Sequence, residues 1–147
     1  MHRLKLAIVT VVLAALSSEV IAQEAAPSVA YRVVVNSGNP ITSVDRRVLG
    51  DLFWKKVTQW PNGEVARPVD LPSDSPVRRR FAQEVLGRST AAVRSYWNQI
   101  IFSGRGTPPP ELDSDQEVIR FVLKHSGAIG YVSGGADVSG AKVISVR

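Results

Sequence analysis

The chain has 147 residues, 18 Lys and Arg against 13 Asp and Glu, a formal charge of +5 and 44% hydrophobic residues, enough for one domain with a real core and too little for two. It has no cysteine, which excludes disulfides, thiolate chemistry and a lipid anchor through an N-terminal Cys. The basic excess suits an anionic ligand or surface, but no basic stripe interleaved with aromatics points to nucleic acid.

Residues 1–22 read as a secretory signal peptide: His2, Arg3 and Lys5 precede an apolar run over 6–16, and Val20, Ile21 and Ala22 supply the cleavage region. The run is too short to span a bilayer, so the cleaved chain is expected in the periplasm with no membrane span. Residues 23–30 form a small, polar tether, and 31–147 a single domain. His125 is then the only imidazole, so neither a histidine metal cluster nor a cofactor site is expected. No matched acid and base or activated nucleophile is visible either, and the chain does not read as an enzyme.

In the domain, Val33, Val34 and Val35 predict a strand over 31–36 buried on both faces. Thr42 and Asp45 suggest a capping box, and Val44, Val48, Leu49 and Leu52 place a helix over 44–53. Trp54 and Trp60 read as plugs over the core, and 61–63 (PNG) as a turn. A short strand over 65–69, a polar turn over 70–75 and a helix from Pro76 follow; Val77, Phe81 and Val85 form its apolar stripe and Gly87 its stop. Ser89 or Thr90 caps a helix carrying Val93, Tyr96, Trp97, Ile100 and Ile101 at core spacing, ended by Gly104. Residues 105–110 (RGTPPP) form a stiff extended connector. Ser114 to Glu117 is a capping box opening a helix that runs to Gly127, and strands over 128–132 and 142–146 close the chain. Strands alternating with helices make this an α/β domain.

The turn and helix start at 70–80 carry the candidate site. Pro76 suits the first helical position and Ser75 can cap it, yet Arg78, Arg79 and Arg80 crowd a terminus whose partial charge is already positive. An anion would relieve that conflict, and the candidate ligands to it are Ser73, Ser75, Arg78 and Arg79. The alternative is a solvated face on which Arg80 pairs with Glu84 one turn on.

Three segments, 48–60 (VLGDLFWKKVTQW), 73–81 (SDSPVRRRF) and 127–132 (GAIGYV), resemble the periplasmic phosphate-binding proteins of ABC transporters, which have the type 2 periplasmic binding protein fold. The resemblance implies one lobe of that fold, with a mostly parallel sheet of about four strands flanked by about four helices. It also implies phosphate or a similar oxyanion as ligand, bound weakly because half of the clamp is missing, and a membrane transporter or sensor as partner; a homodimer would rebuild the cleft. In the family an Arg precedes the binding loop and a Ser-Gly-Thr run opens the helix. Here those places fall at Leu71 and at Ser75, Pro76 and Val77, so only Ser75 carries over, with Arg78 or Arg79 replacing the lost Arg. The competing reading is an exported interaction module without a small ligand, docking through the Arg78 to Arg80 ridge or the Pro108 to Pro110 loop.

Overall fold

A computed structural model of the chain describes residues 29–147. The expected signal peptide and residues 23–28 of the expected tether lie outside the described residues. β1 (Tyr31–Val35), whose three valines are buried, lies in the middle of a five-stranded sheet. It is flanked by β4 (Ala128–Ser133) and β5 (Lys142–Val146), both antiparallel to it. β3 (Arg67–Pro68) adds to β4 and β2 (Ser43–Val44) adds to β5, both in parallel, giving the order β2-β5-β1-β4-β3.

The five-stranded sheet is therefore mixed, two of its pairings parallel and two antiparallel, which corrects only the expectation that it be mostly parallel. Alternating strands and helices supply crossovers long enough for parallel pairing, but they do not decide which strand becomes whose neighbour. Both neighbours of β1 come from the C-terminal end of the chain and run against it. The two edge strands are two residues long, and Pro68, which cannot donate to a ladder, is tolerated at the edge.

Helix starts follow their caps where no strand competes. Ser75 Oγ accepts the Arg78 N–H at the head of α2 (Pro76–Phe81), which continues as a π-turn over Ala82–Leu86 and stops at Gly87, φ 66°. Ser89 caps α3 (Thr90–Phe102) in the same way. Ser114 caps α4 (Asp115–Lys124), while the Glu117 carboxylate accepts the N–H of Asp113, one residue earlier than a standard capping box. The exception is α1 (Arg46–Phe53), expected to begin at Val44. Ser43 and Val44 pair instead with Ser145 and Val146, so the helix starts two residues later, with no side-chain cap at Asp45.

The core lies between the sheet and these helices. Phe81 stacks on Tyr131 at 3.8 Å and lies 4.8 Å from Phe53, all three being buried. Each such ring contributes roughly 1.5–3 kcal/mol on burial, so α2 is anchored mainly by its apolar residue Phe81. Trp60 is a plug, as expected, its Nε1 donating to the Gly127 carbonyl at 2.9 Å. Trp54 joins a smaller cluster with Val93, Tyr96 and Trp97, which is what holds α3 to the body.

Candidate functional site

Asp70 lies two residues beyond β3 and bridges to Glu111, and its backbone is tied on both sides to the proline loop. Its N–H donates to the Pro110 carbonyl at 2.9 Å and its carbonyl accepts the Leu112 N–H at 2.8 Å. Prolines lack donors but keep their carbonyls, so the loop that cannot be helical is an edge partner for this strand. Lys55 Nζ secures the same loop at the Pro108 carbonyl, 3.4 Å.

The side chains of Asp70 and Arg78 form the charged centre of this region. Arg78 is the only buried cation among the described residues, 6% exposed, and Asp70 is 5% exposed. Arg78 Nη2 lies 3.1 Å from Asp70 Oδ2, and Nη1 donates to the Leu71 carbonyl at 2.6 Å and to Glu111 at 2.5 Å. Asp70 Oδ1 also accepts the Leu71 N–H at 3.0 Å and the Tyr131 hydroxyl. Burial pushes the Asp70 carboxyl above the usual carboxylate range, against the pull of Arg78 and of the Tyr131 and Leu71 hydrogen bonds. Burial works against the Arg78 charge too, but Asp70 and Glu111 outweigh it and hold the guanidinium above its ordinary value. The Tyr131 phenol is raised well beyond its usual range by burial, with Asp70 adding to the effect, so it stays a neutral donor.

The four residues expected at an anion site are therefore not brought together. Ser75 Oγ accepts the N–H of Arg78 as the cap and Pro76 has no N–H, which leaves at most the backbone N–H of Val77 in the first turn. Ser73 is half-buried in the turn, and exposed Arg79 donates across it to the Asp74 carbonyl at 2.6 Å. Arg78 turns inward. Arg80 pairs with Glu84, as the solvated-face reading expects. The sequence reading missed Asp70, Glu111 and Tyr131. A signal for the inward turn did exist: Arg78 precedes Ala82 by four residues, and Ala82, Val85 and Leu86 widen the apolar stripe to its side of the helix.

No protein-family model matches the chain, and a comparison with curated proteins returned no match either. Solved structures do match. An ABC-type phosphate transport receptor from Vibrio cholerae superposes with a TM-score of 0.61 at 20% identity, over 79% of this chain and 45% of the receptor. A possible phosphate binding protein from Planctomyces limnophilus gives 0.60 at 15% identity, over 80% of this chain and 41% of its own. PstS from Borrelia burgdorferi gives 0.56 at 13% identity, over 81% and 47%. This chain shares its fold with one part of these proteins. It spans less than half the length of each of these three proteins. Among its described residues no helix is long and apolar enough to cross a membrane, and no His, Asp and Glu cluster is placed to hold a metal ion.

Proposed function

We propose that this chain is an exported, periplasmic lobe of the substrate-binding type that works through protein contacts, with a membrane transporter or sensor as the partner class, and does not clasp a free oxyanion. One observation carries this reading: the buried guanidinium that would meet a phosphate is already neutralised by Asp70 and Glu111. Export rests on the signal-peptide pattern of residues 1–22.

The docking surfaces expected from sequence are poor candidates, because Arg78 is inside, Arg80 is held by Glu84, and Pro109 is buried in the loop. The end of α3 is a better one. Phe102 is 89% exposed and Ile101 47%, with Arg94 on the helix and Arg105 just past its end both exposed and no acidic residue anywhere over 85–110. Covering that phenylalanine would gain roughly 1.5–3 kcal/mol, the scale of a binding anchor, and the arginines select an acidic surround. A photo-crosslinking residue at position 102, in cells exporting the chain, is expected to form adducts with a membrane-associated protein, and the same residue at exposed position 47 is not. Equal labelling from both positions would remove this surface.

The second reading is weak oxyanion binding at Ser73, Ser75 and Arg79, with a second chain supplying the missing half. It is favoured by the fold likeness to proteins named as phosphate receptors and binders. Thermal unfolding in phosphate or sulfate against chloride at equal ionic strength separates the two. The interaction reading expects no anion-specific rise. A saturable rise, which would reach about 2.7 kcal/mol at 100 times the dissociation constant and be lost in Ser75→Ala, would replace it with the second.

A further inference from the structure

The Asp70 carboxylate is held as a bound anion is held. A backbone N–H from Leu71, a phenol from Tyr131 and a guanidinium from Arg78 converge on it, from β4, α2 and the turn between β3 and α2. Charged and neutral donors meeting at one enclosed point are the elements of an oxyanion site. We propose that Asp70 is an intramolecular ligand filling an anion site formed by Arg78, Tyr131 and the Leu71 N–H, so that the lobe is self-liganded. The external ligand this site would take is a small carboxylate or oxyanion. The assignment rests on the reading that the native lobe binds no free oxyanion, and supplies the cause. Glu111, whose side chain is 50% exposed while its Oε1 contacts Arg78, is the member of the cluster that reaches solvent.

A structural ion pair is equally buried, so the property that separates the two is exchangeability. Asp70→Ala keeps Cβ and vacates a space the size of formate. Its thermal unfolding is followed in sodium formate and sodium chloride at equal ionic strength. A saturable rise in Tm with formate alone is expected. The rise should be missing in Asp70→Asn, whose amide still fills the place, and in the double variant Asp70→Ala, Arg78→Met. Identical Tm values for Asp70→Ala in the two salts overturn the proposal. If Asp70→Ala does not fold in chloride, denatured protein is diluted into formate; recovery of the native near-UV circular dichroism supports the site, and failure to recover overturns it. The unaltered chain run beside it keeps the two readings apart. A rise there with phosphate refutes the interaction function, whereas a flat Asp70→Ala refutes only the self-ligand.

Discussion

Arg78→Ala is expected to cost about 3–5 kcal/mol, because it leaves the Asp70 charge buried without its counter-ion. For a domain of this size that is a large part of a total stability of about 5–15 kcal/mol. Urea unfolding should show a much lower midpoint at unchanged slope. Arg80→Ala is the matched control: its partner Glu84 is on the surface, and exposed pairs are worth about 0–1 kcal/mol. The loss at position 78 also has a definite pH dependence. Without Arg78 the raised Asp70 carboxyl rises further, so the folded variant holds a proton that the unfolded chain releases above about pH 4. Stability of the variant therefore increases as the pH falls from neutral toward that value, and its deficit narrows. Neutralising the partner as well, in Arg78→Met with Asp70→Asn, should recover much of the loss, since it is the unpaired charge that is costly. A cost below about 1 kcal/mol for Arg78→Ala would mean that water reaches Asp70.

Gly127→Ala is the second large effect. A Cβ built there would stand 1.9 Å from the Val65 carbonyl oxygen, closer than real Cβ atoms approach, and 3.1 Å from its carbon, and the obstacle is backbone. The Gly127 carbonyl also accepts the Arg67 N–H and the Trp60 Nε1–H, both at 2.9 Å. Making room for the methyl would thus loosen β3 and lift the Trp60 plug together. We expect a loss of roughly 3 kcal/mol or more, at the upper end of overpacking effects, with Trp fluorescence shifting to the red before global unfolding. Gly135→Ala, where a Cβ meets nothing within 4 Å, should stay within about 0.5 kcal/mol of the unaltered chain. Similar midpoints for the two glycine variants would contradict the close approach at Gly127.

Much of the fold was legible because its signals are local. Ser75, Ser89 and Ser114 cap helices because a hydroxyl needs to reach only two or three residues ahead. The buried valines of β1 and the likeness of three short segments were legible for the same reason. Where a distant strand competed, the local signal lost: Thr42 and Asp45 look like a cap, but the ladder to Ser145 and Val146 claimed Ser43 and Val44. The site shows the sharper limit. Three consecutive arginines at a helix start imply a free positive cluster, yet one of the three is inside the protein.

From its residues alone, then, the chain determines an α/β domain, where most of its helices begin, and the charge conflict ahead of Val77. How that conflict ends was decided only in three dimensions. One carboxylate that neutralises Arg78 stands 33 residues away at Glu111, and the other, Asp70, is held in place by the hydroxyl of Tyr131, 61 residues from it. Electrostatic energy depends on distance in space and on burial, neither of which the order of residues along the chain expresses.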